Sequence, residues 1–338
     1  MIVEMKTGAS TEEIESVVQR AKSLNLDVQL NVGTDKTVVA ILGSNTGQIS
    51  TDIFAVLPGV ESVTRIMKPY KLASREFKPK DSVVPIDGIK IGGKRIIVMA
   101  GPCAVENEAQ LMEIARIVKE AGASILRGGA FKPRTSPFSF QGLKKAGLEL
   151  LAQARERFSI PVITEVVDPH DVELISKYAD ILQVGSRNMQ NFTLLTNIGK
   201  SKCPAVLKRG FSCTVTEWLN AADYLLAEGN NKVALCERGI RTFEDSIRFS
   251  LDISSIPVLK KFSHLPVIVD PSHAAGHYSL VPAIARAAVA AGADGLLIEV
   301  HPNPEEAMVD GLQSLTPSNF TKLMAELRLV AKSVGRDI

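Results

Sequence analysis

Eight short apolar runs occupy the last two thirds of this chain, and each leads into an ionisable residue. They are Ile96–Ala100 leading to Cys103, Ser124–Leu126 to Arg127, Val162–Thr164 to Glu165 and Ile181–Val184 to Arg187. Ala205–Leu207 leads to Lys208, Val233–Leu235 to Glu237 and Arg238, Val267–Val269 to Asp270 and His273, and Leu296–Ile298 to Glu299. Helical faces separate them, at Leu111, Ile114, Ala115 and Val118, at Leu148, Leu151 and Ala152, at Trp218, Leu219, Ala222 and Leu225, and at Val281, Ile284, Ala285, Ala288 and Val289. Eight alternations with no spare strand predict a closed (β/α)8 TIM barrel rather than an open doubly wound sheet. Charges are rarely placed in a core, so ionisable residues repeated at one end of buried strands converge on the barrel mouth.

At 338 residues the chain has room for such a barrel, ~250 residues, and one smaller unit. A net charge of +2 argues against nucleic acid or an anionic membrane as the main partner. No apolar run approaches the ~20 residues that span a bilayer, and Met1 to Thr7 carries Glu4 and Lys6 where a signal peptide is apolar. Cys103, Cys203, Cys213 and Cys236 form no paired framework, which fits a reducing compartment, so a cytoplasmic protein is expected. No glycine-rich dinucleotide fingerprint or phosphate loop follows the first barrel strand, which counts against nicotinamide or nucleoside triphosphate chemistry.

Residues 1–66 read as a separate small α+β domain. Ile2, Val3 and Met5 open a strand, and Ser10 with Glu13 forms a capping-box signal before the helical face Ile14, Val17, Val18, Ala21 and Leu24. Leu26, Val28, Leu30 and Val32 alternate with polar residues, Gly33–Lys36 turns, and Thr37–Leu42 supplies a β-branched partner strand. A short helix over Ser50–Leu57 stops at Pro58-Gly59, and Val60–Ile66 is the last strand. This order is the split βαβ, ferredoxin-like sandwich, and it holds no His or Cys for catalysis. Residues 67–80, rich in Lys, Arg and Pro, read as a solvated linker. The barrel unit then spans 81–338, beginning with a hairpin over Val83–Gly93 that suits a bottom closure.

Cys103, His273, Glu299 and Asp310 follow the first, seventh and eighth barrel strands, which are neighbours once the barrel closes. A thiolate, an imidazole and two carboxylates together suit one divalent transition metal, with Mn, Fe, Co and Zn all compatible. Singly, Cys103 fits a buried filler, His273 a core histidine and Glu299 an ion pair. Four such residues on adjacent strand ends are poorly explained that way. The opposite arc is cationic, with Arg127, Lys132, Arg134, Arg187, Lys208 and Arg238, and so suits substrates with several negative charges. The loop Gly128–Pro137 combines glycines, prolines and the donors Lys132, Arg134, Thr135 and Ser136 as an anion clamp would. A Schiff-base aldolase using Lys208 is a competing reading, and it leaves Cys103 and His273 without work.

Seven motifs in order, Gly101-Pro102-Cys103, Lys132-Pro133-Arg134-Thr135-Ser136, Gly185-Ser186-Arg187, Leu207-Lys208-Arg209-Gly210, Cys236-Glu237-Arg238-Gly239, Asp270-Pro271-Ser272-His273 and Ile298-Glu299-Val300-His301, carry a family resemblance. From about Arg95 onward the chain resembles 3-deoxy-D-arabino-heptulosonate 7-phosphate (DAHP) synthase, in the short-barrel microbial subgroup with a regulatory ferredoxin-like extension. The resemblance implies condensation of phosphoenolpyruvate with erythrose 4-phosphate and water, giving DAHP and phosphate, the first step of aromatic amino-acid synthesis. It places one divalent metal on Cys103, His273, Glu299 and Asp310. Phosphoenolpyruvate falls to Arg127, Lys132, Arg187, Lys208 and Arg238, and erythrose 4-phosphate to Arg134, Thr135 and Ser136. Lys132, His273 and Glu165 are the groups at the reacting atoms, with proton handling open between Glu165 and water at His273. A tyrosine or phenylalanine effector and a homotetramer are implied as well. The related 3-deoxy-octulosonate 8-phosphate synthase, which takes arabinose 5-phosphate, usually carries Ala-Asn where this chain has Pro133 before Arg134. A non-catalytic sensor of aromatic amino acids is the remaining alternative, and it gives no reason for a full set of strand-end groups.

Overall fold

The computed structural model describes residues 1–33, 36–43, 46, 49–65 and 68–338. It divides into two units, Met1–Asp81 with Phe262–His264, and Ser82–Lys261 with Leu265–Ile338.

The first unit contains β1 (Ile2–Met5), α1 (Thr11–Ser23), β2 (Asp27–Val32), β3 (Thr37–Leu42), α2 (Asp52–Ala55) and β4 (Val60–Thr64). The strands form an antiparallel sheet in the order β2-β3-β1-β4, the ferredoxin-like arrangement. The capping box starts α1 as the spacing predicts: Glu13 N donates to Ser10 Oγ at 3.2 Å and Ser10 N to Glu13 Oε2 at 2.8 Å. Val17 and Ala21 from this helix pack with Val3, Met5, Val39 and Phe54. The alternation expected along β2 fails towards its end, where Leu30 is 46% and Val32 73% exposed. Among the described residues β2 is an edge strand paired only with β3, and a period of two does not tell an edge from a covered position. Thr34 and Asp35 of the expected turn, and Ile66 and Met67, lie outside the described residues.

The segment read as a solvated linker is instead packed. Tyr70, Leu72, Ala73 and Phe77 are buried. Ser74 Oγ donates to Lys71 O at 2.7 Å and accepts from Phe77 N at 3.1 Å, folding the segment into a turn. Arg75 N donates to Phe262 O at 2.9 Å, and a ring nitrogen of His264 stands 2.8 Å from Leu72 O. Four apolar side chains at irregular spacing supply the burial that the Lys and Pro content concealed.

The second unit opens with the hairpin β5 (Val84–Ile86) and β6 (Ile89–Ile91). Eight parallel strands follow: β7 (Ile97–Gly101), β8 (Ile125–Arg127), β9 (Val162–Val166), β10 (Ile181–Val184), β11 (Ala205–Lys208), β12 (Val233–Glu237), β13 (Val267–Val269) and β14 (Gly295–Glu299). They close in sequence order, with β14 paired to β7 from Gly295 opposite Ile97 to Glu299 opposite Gly101. Helices α3 (Glu108–Ala121), α4 (Lys145–Phe158), α5 (Val172–Ser176), α6 (Phe192–Ser201), α7 (Val215–Ala227), α8 (Ser255–Phe262), α9 (Pro271–Ala275), α10 (Val281–Ala290) and α11 (Pro317–Ser333) complete the chain. The expected helical faces are the ones turned inward, except that α4 buries Ala154 in place of Ala152 and Ile284 of α10 is only half-buried. Val84, Ile86 and Ile91 pack with Ile97, Ile125 and Ile181 at the first residues of β7, β8 and β10, so the hairpin seals the bottom of the barrel. At the other end Gly101 is indispensable, because a Cβ there would meet Arg127 O at 2.1 Å. No helix among the described residues is long and apolar enough to cross a membrane.

Candidate active site

Strand geometry delivers the chemistry directly. Arg127, Lys208, Glu237 and Glu299 are the last residues of β8, β11, β12 and β14, and Glu165 is the penultimate residue of β9. Asp270 caps α9, accepting from His273 N at 2.9 Å, and Pro271 stands where helices tolerate proline best. His273, expected after the seventh barrel strand, lies on this single helical turn, which aims it.

Ligand-type atoms of Cys103, His273, Glu299 and Asp310 all lie within 4.8 Å of one another. His273 Nε2 is 3.5 Å from Glu299 Oε1 and 3.8 Å from Asp310 Oδ2, and Cys103 Sγ is 3.6 Å from Asp310 Oδ2. On its other side His273 presents Nδ1 to Asp270 Oδ2 at 2.8 Å, and that carboxylate also takes Lys208 Nζ at 2.6 Å. Asp270 thus stands behind the ring while Nε2 faces the cluster. Glu299 is fully buried between Arg127 Nη1 at 2.5 Å and Gln313 Nε2 at 2.6 Å. Burial alone would raise its pKa, but the charges of His273 and Arg127 win and hold it at about 2. Burial pushes the Cys103 thiol up to about 12, with Glu299 adding and Lys132 and Arg127 opposing. Lys132 Nζ lies 3.2 Å from both Sγ and O of Cys103.

Above these groups opens a cavity of about 180 Å3, lined by Lys132, Arg134, Thr135, Glu165, Arg187, Lys208, Arg238, His273 and Asp310 among others. Arg127, Cys103 and Glu299 are buried and do not line it, and Ser136 does not either, its Oγ accepting from Phe138 N. Glu237 belongs elsewhere: it pairs with Arg209 at 2.8 Å and accepts from Ser255 Oγ and Gly239 N, a fixed network behind the strand. Glu165 approaches so close to the next strand end that a Cβ at Gly185 would sit 2.0 Å from its Oε1. Four side chains were not foreseen. Phe211 and Phe249 stack at 5.0 Å, and Arg238 Cζ lies 4.9 Å and 4.0 Å from their ring centres. Arg248 and Gln313 join the carboxylates of the cluster. Arg248 and Phe249 sit in the long connection between β12 and α8, Phe211 in the short one between β11 and α7, and Gln313 in a single 3-10 turn, so only their chemistry could have marked them.

A sealed parallel barrel with thiol, imidazole and carboxylate donors facing a wall of cations defines a TIM-barrel enzyme. The chain belongs to the DAHP synthetase I family, whose model matches residues 73–333, and residues 1–68 match the DAHP synthase ferredoxin-like domain. It is 48% identical over 335 residues, 99% of each chain, to phospho-2-dehydro-3-deoxyheptonate aldolase of Thermotoga maritima. A crystal structure of that DAHP synthase superposes with a TM-score of 0.80 at 47% identity, covering 99% of this chain and 98% of the other. A truncated form of the Thermotoga maritima synthase gives 0.74 at 44% identity, over 79% of this chain and 98% of that one. The 2-dehydro-3-deoxyphosphooctonate aldolase of Desulfatibacillum aliphaticivorans is 31% identical over 261 residues, 72% of this chain and 94% of its own. The octulosonate alternative is therefore the more distant of the two.

Proposed function

We propose that this protein condenses phosphoenolpyruvate with erythrose 4-phosphate and water to give DAHP and phosphate. The observation that carries the reading is the pairing of a compact donor cluster with a cation-lined cavity in a chain that matches a DAHP synthase from end to end. Cys103, His273, Glu299 and Asp310 fit one divalent ion by their donor types and mutual reach, and by the Asp270 contact that leaves His273 Nε2 facing inward. Such an ion, with Mn, Fe, Co and Zn all compatible, supplies a Lewis acid for the aldehyde carbonyl when bound.

The protein groups do the rest. Arg187, Lys208 and Arg238 bind the phosphate of phosphoenolpyruvate, Lys132 faces its carboxylate and reacting end, and Arg127, buried behind the cavity wall on Glu299, adds its positive charge from beneath, so the enol carbon is held in line with the aldehyde. Arg134 and Thr135 hold the sugar phosphate, and Ser136 supports their loop. As the enol carbon bonds to the aldehyde carbon, Lys132 gives a proton to the aldehyde oxygen, which becomes a hydroxyl; Glu165 accepts a proton from the water that adds to the now cationic phosphate-bearing carbon, and the C–O bond to phosphate then breaks, leaving the ketone and inorganic phosphate. Residues 1–66 act as the effector domain, sensing tyrosine or phenylalanine, residues 67–80 connect it, and 81–338 carry catalysis. The working enzyme is a cytoplasmic homotetramer, which light scattering of the purified protein tests.

The deciding assay follows loss of phosphoenolpyruvate with each sugar phosphate. Erythrose 4-phosphate should exceed arabinose 5-phosphate in kcat/KM by at least ~10²-fold, because a site fitted to one chain length leaves polar groups unpaired with the other. Equal values for the two sugars would overturn the substrate assignment.

A further inference from the structure

The connection between β12 and α8 brings Arg248, one of the residues lining the cavity, to the donor cluster. Arg248 Nη1 donates to Gln313 Oε1 at 2.6 Å and lies 3.3 Å from Asp310 Oδ2. Gln313, 2% exposed, donates its own amide nitrogen to Glu299 Oε2 at 2.6 Å. One side chain therefore reaches Asp310 directly and Glu299 through a single amide. Only one orientation of that amide serves both neighbours, with oxygen towards the arginine and nitrogen towards the carboxylate.

The base of Arg248 is equally constrained. Phe249 N donates to Ala274 O at 3.0 Å, next to His273 on α9. Gly276, at φ +72, closes that turn, and a Cβ there would come 2.4 Å from Arg248 Cβ. Arg248 is thus seated against the turn that carries His273 while it holds Asp310 directly and Glu299, the last residue of β14, through Gln313. Asp310 needs such a hold, since it sits at φ +54, a conformation sparsely populated by residues with a side chain, on a connection with little regular structure.

We propose that Arg248 is a positioning residue for the donor cluster, setting the orientation of Asp310 directly and of Glu299 through Gln313. The inference rests on the metal reading given above. Orienting both carboxylates beforehand reduces the freedom lost when an ion binds, while the positive charge alone would repel that ion. The two effects have opposite signs on affinity, so affinity distinguishes them.

Metal-stripped protein is titrated with Co2+, reading the thiolate-to-cobalt absorption that reports an ion at Cys103. Arg248→Met, Arg248→Lys and Gln313→Leu should each weaken Co2+ binding by about 10–100-fold. One nitrogen, Nη1, makes both contacts, and lysine keeps the charge with a shorter reach, so Arg248→Lys should fall between the parent and Arg248→Met. Circular dichroism checks folding, and should buried Gln313 not tolerate leucine, the partly exposed Arg248 decides alone. Co2+ affinity that is unchanged in the Arg248 variants, or tighter in Arg248→Met, overturns the proposal. So does a KM for either phosphate substrate that rises about tenfold with Co2+ affinity intact, since Arg248 would then be a substrate ligand. A parent protein without the band, or a band that survives Cys103→Ser, overturns the metal reading and the positioning role together.

Discussion

Arg127 and Glu299, 172 residues apart in sequence, meet at 2.5 Å with 4% and 0% of their side chains exposed. The pair joins the cationic arc of the mouth to the donor cluster. Removing one partner of a buried pair strands the other charge, so Arg127→Leu should destabilise the fold by about 3–5 kcal/mol. The midpoint and slope of urea unfolding measure this, and an unchanged midpoint would show that Gln313 alone suffices for Glu299.

Lys132 and Cys103 form a second tie between the two arcs. Treatment with a chelator should abolish turnover, and Mn2+ or another divalent ion should restore it. Cys103→Ala and His273→Ala should block restoration, because each removes a donor from a cluster that spans only 4.8 Å. Full activity in a preparation shown by elemental analysis to be metal-free would refute metal dependence.

Arg238 and Arg187 should not contribute equally. Arg238 is 3% exposed over Phe249 and Phe211, and burial brings its pKa down to about 10, whereas Arg187 is exposed. A cation already out of water interacts more strongly with an anion. Arg238→Ala should lower kcat/KM for phosphoenolpyruvate by about 10³-fold and Arg187→Ala by about 10²-fold, with Arg187→Lys recovering part. Steady-state kinetics with phosphoenolpyruvate varied gives the order, and the reverse order contradicts the argument from burial.

His264 gives the first unit a dependence on pH. Burial lowers its pKa from 6.5 to about 4 against the opposing contact with Leu72 O. The unfolded chain takes up the proton first, so this contribution is complete above pH 6.5 and is lost as pH falls towards 4. The loss amounts to at most about 3 kcal/mol. His264→Gln should flatten the fall in urea midpoint between neutral and mildly acidic buffer; parallel profiles for the two proteins would assign the acid sensitivity elsewhere.

A chain beginning at Ser82 should fold, turn over both substrates and no longer respond to tyrosine or phenylalanine. The cut falls at Ser82 because Leu72, Ala73 and Phe77 are buried and belong to the first unit. Inhibition that survives the truncation would move the effector site to the barrel.

The barrel was legible because each strand is short, apolar and closed by a charge, a pattern few other folds produce. Arg127, Lys208 and Glu299 stand within their strands rather than after them, a shift of one residue that leaves their convergence intact. Three errors have a common origin. The packed segment around Leu72, the exposed end of β2 and the unforeseen Arg248 and Gln313 all depend on what lies across space. Local periodicity carries no record of that. Glu237 shows the reverse case: its strand-end position promised chemistry, and Arg209 and Ser255 made it structural.

The hairpin beneath the strands makes the barrel a blind vessel with a single doorway. Everything that reacts or leaves must pass the same rim, and whatever rests on the floor near Lys208 is covered by whatever the loop at Arg134 and Thr135 receives. Traffic through such a vessel is last in, first out. The proposed placements therefore require phosphoenolpyruvate to arrive before the sugar, so a large excess of erythrose 4-phosphate should block the doorway and slow turnover.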